Sequence, residues 1–372
     1  MTVIAVLALL TWLYLFFLHG RFWRSGPELP PAVPAECPDV DIVIPARDEA
    51  RTIGPVIASL SRQDYPGRFR IFLVDDNSTD GTATLAAAAA PGMADLHIVS
   101  GAEKPAGWAG KLWALSQGVA VSSAPVLFFS DADITHDPRH LSALVARLVS
   151  APHVEMVSEM VRLNCESLAE KALVPAFVYF FQMLYPFDRV NDPTSRVAAA
   201  AGGTVLIRRQ ALERIGGIEA IKGALIDDVA LARAVKKFGP LYLGHSGLAT
   251  SIRPYPEFAD IFRMVSRSAF TQLDYSAVML ALTLLGLTLV WLVPAYETVF
   301  GHGWRFICGL AAFVLAMISY QPTLARYRVS RFLALALPLI ALFYMVATFS
   351  SALDHWRGTG ARWKNRSYGA DV

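Results

Sequence analysis

Two hydrophobic rhythms divide this chain. Thr2 to Leu18, Ala277 to Phe300, Arg305 to Tyr320 and Phe332 to Leu353 are apolar almost without interruption, whereas from about Pro27 to Pro256 apolar residues come in short runs with charges between them. Unbroken runs of about 17–25 residues match the hydrocarbon core of a bilayer. Short runs bounded by polar turns belong instead to a domain of strands and helices.

Charge sets the expected direction of the apolar segments. Thr2–Leu18 has no basic residue before it and Arg21 and Arg24 just after, which places its C-terminal end in the cytoplasm. A signal peptide carries its charge first and then a small-residue cleavage site, so residues 1–20 read as an uncleaved N-terminal transmembrane anchor. Ala277–Phe300 and Arg305–Tyr320, separated by a turn with Gly301 and Gly303, read as a helical hairpin. Arg326, Arg328 and Arg331 keep the next loop cytoplasmic, and Phe332–Leu353, with Pro338 inside it, is a further span, so that residues 277–353 form the C-terminal membrane region. Three full crossings would put the tail, residues 354–372, outside, although Arg357, Arg362, Lys364 and Arg366 favour the inside; one segment is therefore re-entrant or interfacial. Residues 251–276 read as an amphipathic, interfacial segment. The aromatic stretch Ala172–Phe187 fits either attachment at headgroup depth or a core helix of the soluble domain.

Between these segments, strands and helices alternate over residues 38–250. Short apolar runs at residues 40–44, 70–74, 96–100 and 125–130 predict strands, and residues 50–62, 82–90 and 110–121 predict helices, with Ile53, Val56, Ile57 and Leu60 on one helical face. This alternation predicts a mostly parallel sheet with helices on both faces, which binds ligands beyond the carboxyl ends of its strands. Those ends are acidic: Asp75-Asp76 follows one strand and Asp131-Ala-Asp133 another, and Asp227-Asp228 comes downstream.

Each acidic cluster suits a step in handling a nucleotide. A carboxylate such as Asp76 accepts hydrogen bonds from a ribose or a base. Asp131 and Asp133, flanking one small residue, can share a hard divalent cation that also binds phosphate oxygens. Asp228 can serve as a general base; a plain helix start, with Asp227 as cap and Asp228 as first-turn acid, is the lesser alternative. Lys111, in the first turn of its helix, can reach a phosphate. Gly202 and Gly203 fit close backbone approach to a ligand or a simple turn. Arg263 and Arg267 lie four apart before the hairpin, where they can hold a diphosphate or reach lipid headgroups.

Composition narrows the classes. Apolar residues make up 54% and charged ones 17%, with a mean hydropathy of +0.42, as expected where part of a chain meets lipid. A formal net charge of +2 offers no field for nucleic acid. Cys37, Cys165 and Cys308 have no C-x-x-C spacing, and the histidines no metal spacing.

Taken together, these motifs resemble family 2 glycosyltransferases of the GT-A fold, an α/β, nucleotide-diphospho-sugar transferase architecture, over nearly the whole chain. Residues 43–49 resemble that family's opening strand and donor loop, 74–82 its nucleoside motif, 131–133 its metal motif, 202–209 and 215–217 its acceptor-side segment, and 227–228 its base motif. Within the family the chain is most similar to hopene-associated glycosyltransferases, through residues 180–187, 253–256 and 363–368, and more distantly to ceramide glucosyltransferases. It departs from the latter at Met264-Val-Ser-Arg267-Ser268, which keeps the motif's arginine and lacks its tryptophan, and Asp227 stands where the family often has glutamate.

The resemblance implies single displacement with inversion. A nucleotide-sugar donor, a UDP-sugar, is held by Pro45, Asp48, Glu49, Asp76, Lys111, Asp131 and Arg267. Asp131 and Asp133 bind Mg2+ or Mn2+, Gly202, Gly203 and Asp227 lie on the acceptor side, and Asp228 is the catalytic base. The implied acceptor is a lipid, in hopanoid or related biosynthesis at the cytoplasmic face of a bacterial inner membrane, where other lipid-synthesis enzymes are candidate partners. Two other readings share the pattern. A catalytically silent scaffold would not turn over nucleotide-sugar, and a polysaccharide synthase needs more spans for an extrusion channel.

Overall fold

The computed structural model describes residues 1–91, 93, 95–150 and 154–358, with the backbone of 362, 363, 366 and 367. The basic, aromatic tail at Arg362, Trp363, Lys364, Arg366 and Tyr368 lies outside the described side chains. The chain divides into a helical unit (residues 1–26, 165–188 and 254–361) and a sheet unit (residues 27–164, 189–253 and 362–372).

In the sheet unit the strands are β1 (Val40–Ala46), β2 (Phe69–Asp75), β3 (Leu96–Ser100), β4 (Val126–Ser130), β5 (Ile134–His136), β6 (Met156–Arg162), β7 (Thr204–Arg208) and β8 (Leu241–Ser251). They form one sheet in the order β3-β2-β1-β4-β7-β6-β8-β5. β1 pairs in parallel with both β2 and β4, and β2 with β3, as the alternation predicted. Beyond β4 the sheet is mixed: β7 runs antiparallel to β4 and β6, and β5 antiparallel to β8. Helical crossovers are what enforce parallel pairing, and the segments between β4, β5 and β8 do not follow that regular alternation.

Alternate residues of the central strands enter opposite layers. Ile42, Ile44, Ile71, Leu73 and Phe128 pack under helices Ile53–Leu60 and His140–Ser150, while Val43, Val74, Leu127 and Phe129 pack under Gly110–Val121 and Asp227–Lys236. Because β1 runs parallel to β2 and β4, the carboxyl ends of β2 and β4 emerge on the same edge, one on each side of β1. Asp76 and Asp131 follow those ends directly.

In the helical unit, Ala277–Phe300, Trp304–Tyr327 and Arg331–Trp356 are each long and apolar enough to cross a membrane. Two of them extend past the expected ends, because helix continues through Gln321–Tyr327 and Asp354–Trp356. Within the hairpin, Glu297 is fully buried and accepts from the Arg305 guanidinium at 2.8 and 3.2 Å. Thr2–Phe17, expected to be an anchor, is a helix of 16 residues. At 1.5 Å per residue it spans about 24 Å, short of a hydrocarbon core of about 30 Å. Its Ala5, Ala8, Trp12 and Leu15 are buried within the unit, and Trp12 Nε1 donates to Val290 O at 2.7 Å.

The aromatic stretch is not a core helix of the sheet unit. Helix Leu168–Leu184, started by a Ser167/Glu170 capping box, is part of the helical unit, where Tyr179 is fully buried and its hydroxyl meets Ser319 Oγ at 2.6 Å. The amphipathic segment forms helix Phe258–Ser266; its Ile261 is buried and Phe262 packs edge-on against Phe343.

Candidate active site

The sheet edge that carries Asp76 and Asp131 also carries a charge cluster. Lys111, in the first turn of Gly110–Val121, places Nζ 2.8 Å from Asp131 Oδ1 and 3.0 Å from Asp227 Oδ2. Asp228 Oδ2 accepts from the Gly202 backbone N–H at 2.8 Å, and Oδ1 accepts from Val229 N–H at 2.7 Å. Two carboxylates thus pair directly with one ammonium, and the charge of Asp228 acts on it from farther out. Helix Asp227–Lys236 has Ile226 rather than Asp227 at its cap; both aspartates lie in its first turn, where Asp228 also accepts the Val229 N–H.

These groups line a cleft together with Pro45, Ser130 and an apolar wall that includes Leu112, Phe129, Ile218 and Leu231. Densely packed protein around Asp228 disfavours its charge, and Asp227 adds repulsion; Lys111 and two backbone N–H groups oppose this only in part, leaving the carboxyl pushed up to about 7. Asp131 is raised by the same burial, against the pull of Lys111. For Lys111 burial works against the charge, but Asp131, Asp227 and Asp228 outweigh it and hold the ammonium protonated. A carboxylate that titrates near neutrality beside a cleft is what a general base requires.

Gly202 has a steric reason to be glycine. A Cβ there would lie 3.3 Å from both Asp228 Oδ2 and Lys111 Nζ, so the close approach is to side chains of the charge cluster. Gly202→Ala is expected to lower turnover on the order of tenfold or more, because displacements of well under an ångström misalign reacting groups. Thermal melting should move little; full activity in a steady-state assay would refute the crowding argument. At Gly203 the neighbours of an added Cβ, Val161 and Ile134, stand at ordinary contact distance, and its carbonyl accepts from Asp131 N–H at 3.3 Å.

A second ionic group brings in a residue that the sequence pattern assigned no site role. Arg253, just past β8, donates from Nε to Asp133 and from a terminal nitrogen to Glu49 at 2.6 Å. Glu49 is also fixed by Thr52 Oγ1 at 3.0 Å and by its own N–H to Thr82 Oγ1 at 2.8 Å. Asp48 sits at φ +50, its Oδ1 accepting from Thr79 N–H at 2.9 Å, an arrangement that aspartate tolerates better than most residues.

Asp76 is fully buried. Its carboxylate stands 3.7 Å from Arg47, whose guanidinium donates to the Asp76 carbonyl at 2.6 Å. Arg47, with 17% of its side chain exposed, is the member of this pair that can meet a ligand, and its buried Nε has no hydrogen-bond partner among the described residues. Sequence reasoning passed over Arg47 and Arg253 because isolated arginines carry no pattern; the adjoining Asp48-Glu49 and the Arg253-Pro turn were the available signals. Arg267 lies in the other unit, exposed at the end of Phe258–Ser266. Arg263 on the same helix pairs with Asp260 at 2.6 Å.

Among the described residues no three His, Cys, Asp or Glu side chains converge as a metal cage. Asp131 and Asp133 each face a cation of the protein instead, Lys111 and Arg253. Two carboxylates nonetheless fit Mg2+ or Mn2+, which bind through one or two carboxylates and take further oxygens from phosphates and water.

Comparison with known proteins bears on this arrangement. Residues 41–216 match the profile of glycosyl transferase family 2, a match that ends before Asp227. The chain is 26% identical over 209 residues to a beta-monoglucosyldiacylglycerol synthase of Synechocystis, covering 53% of this chain and 42% of that protein. It is 30% identical over 107 residues to a 4,4'-diaponeurosporenoate glycosyltransferase of Staphylococcus haemolyticus, covering 28% and 27% of the two chains. The chain thus spans less than half the length of these two relatives. In fold it is similar to a mannosyltransferase from Pyrobaculum calidifontis, solved with GDP-Man and Mn2+, at a TM-score of 0.59 and 19% identity over 95% of this chain and 98% of that one. The sheet unit is thus a GT-A domain.

Proposed function

We propose, from a family 2 glycosyltransferase domain as premise, that this protein is a membrane-bound inverting glycosyltransferase that moves a sugar from a nucleotide-sugar to a lipid. The observation that carries the reading is the convergence of Lys111, Asp131, Asp227 and Asp228, with Asp228 poised near neutrality, at the carboxyl edge of the sheet.

In this reading Asp228 takes the proton from the acceptor hydroxyl as that oxygen attacks the anomeric carbon from the face opposite the leaving nucleoside diphosphate. The Gly202 N–H keeps the carboxylate aimed. Lys111 is drawn toward the diphosphate as charge develops there, and Arg253 has the same chemistry to offer from the Asp133 side. Asp131 and Asp133 would hold the divalent cation, which when bound neutralises the leaving diphosphate. Asp76 orients Arg47 toward the nucleoside, and Pro45, Asp48 and Glu49 shape the donor loop; Arg267 is assigned to the diphosphate through the family motif alone.

A UDP-sugar as donor and a hopanoid or related lipid as acceptor rest on motif resemblance, and similarity to relatives named for glycolipid and carotenoid-acid glycosylation supports a lipid. Placement in a bacterial inner membrane with the sheet unit in the cytoplasm rests on the three apolar helices and the positive-inside argument. Enzyme in nanodiscs should transfer label from a nucleotide-sugar into extracted lipid, and a deletion strain should lack one glycolipid by mass spectrometry. Nucleotide-sugar that stays intact with every lipid extract would point to a silent scaffold and overturn the reading.

A further inference from the structure

A chain of buried polar side chains runs from the middle of the sheet to the residue before Asp131. Glu159 Oε2 on β6 is 2.7 Å from His140 Nε2, His140 Nδ1 is 2.9 Å from His136 Nδ1, and His136 Nε2 is 3.0 Å from Ser130 Oγ. All four residues are at most 5% exposed. The imidazoles stack at 5.0 Å, and the Phe128 ring lies edge-on to both. Ser130 closes β4, lines the cleft and is also placed to donate to the Asp131 carbonyl at 3.3 Å.

Donor and acceptor counting gives the chain a direction. A buried carboxylate is costly without a positive partner, and His140 is the ion-pair partner recorded for Glu159 among the described residues. One proton placed on His140 leaves the pair electroneutral and makes both its ring nitrogens donors, one to Glu159 and one to His136 Nδ1. His136 is then neutral and donates from Nε2 to Ser130 Oγ, whose own hydrogen is left for the Asp131 carbonyl. Every donor finds one acceptor, and no ring nitrogen is left over. Burial first, and the charge of His140 second, hold His136 well below the usual histidine range, which agrees with a neutral middle link.

We infer that Glu159, His140, His136 and Ser130 are a positioning relay that fixes the turn carrying Asp131 and Asp133, and so sets the affinity of this edge for a divalent cation with a nucleoside diphosphate. This rests on the functional reading above. None of the four touches the reacting atoms; they act through Asp131. Partners that orient metal ligands are worth roughly 10–100-fold in metal affinity, and here the link to the ligand is a backbone carbonyl, which places the effect near the lower figure.

The test is binding of Mn2+ to the full-length protein in nanodiscs, followed by electron paramagnetic resonance with UDP or GDP present. Wild type should bind and Asp133→Asn should not; a wild type that binds no Mn2+ with either nucleotide overturns the functional reading and this inference with it. Given wild-type binding, Ser130→Ala and Glu159→Gln should each weaken Mn2+ roughly tenfold. The double variant should be no weaker than the worse single one, because a serial chain breaks once, whereas independent sites multiply their losses. Affinities within twofold of wild type, or losses that multiply, overturn the relay. Ser130→Ala removes one oxygen, and its result decides the matter if Glu159→Gln does not fold.

Discussion

Asp228→Asn is expected to reduce transfer by roughly 10²–10⁴-fold, the usual range for removing a positioned general base, while nucleoside diphosphate binding stays within about twofold. The amide is nearly isosteric and keeps one oxygen to accept from the Gly202 or Val229 N–H groups that hold the carboxylate. What it loses is the ability to take a proton at a group whose carboxyl titrates at about 7. Single-turnover transfer and equilibrium binding of UDP or GDP, measured on the same preparation, separate the two effects. Undiminished turnover would remove Asp228 from the chemistry, and a parallel collapse of nucleotide binding would make it a structural member of the cluster.

The second large effect is a pair of opposite shifts in pH dependence. A base raised to about 7 by burial, and then by Asp227, is mostly protonated below neutrality, so kcat/KM should rise with pH through about 7 in wild type. Lys111 lowers that value and Asp227 raises it. Lys111→Met should therefore move the rising limb to higher pH and reduce its plateau, since an ammonium facing Asp131 and Asp227 is also lost. Asp227→Asn removes a repelling charge and should move the limb to lower pH. Profiles of kcat/KM for the three proteins measure both signs at once. Limbs that coincide would show that another group titrates in the rate.

Much of the sheet unit was legible because its periodicities are local. The strand at residues 96–100 and the helix at 110–121 fall where the apolar runs place them, and Asp76 and Asp131 follow parallel strands as the alternation required. As a core helix of the soluble domain, Leu168–Leu184 was misplaced for an equally physical reason: it interrupts the sheet unit in sequence but belongs to the helical unit, where it buries Tyr179. An apolar run reports that a segment will be buried, and not by what. The same limit applies to Thr2–Phe17, whose apolar run did not show that four of its side chains are buried within its unit.

At the site, residue types and their order could be read, but charge partners could not. Asp76 looked like a ligand and is fully buried against Arg47, whereas Asp133 looked like a metal ligand and is held by Arg253 from 120 positions away. The histidines, which lack metal spacing in sequence, assemble with Glu159 into a buried chain only because β5, β6 and the helix His140–Ser150 meet beside β4.

By itself, then, the sequence determined an alternating sheet domain with acidic strand ends and a set of membrane-length apolar helices, since hydrophobic period, turn chemistry and charge order act over a few residues. Only the tertiary structure decided which carboxylate stands beside which cation. An ion pair or a raised carboxyl depends on distance and on exclusion of water, and both arise when segments far apart in sequence pack against each other.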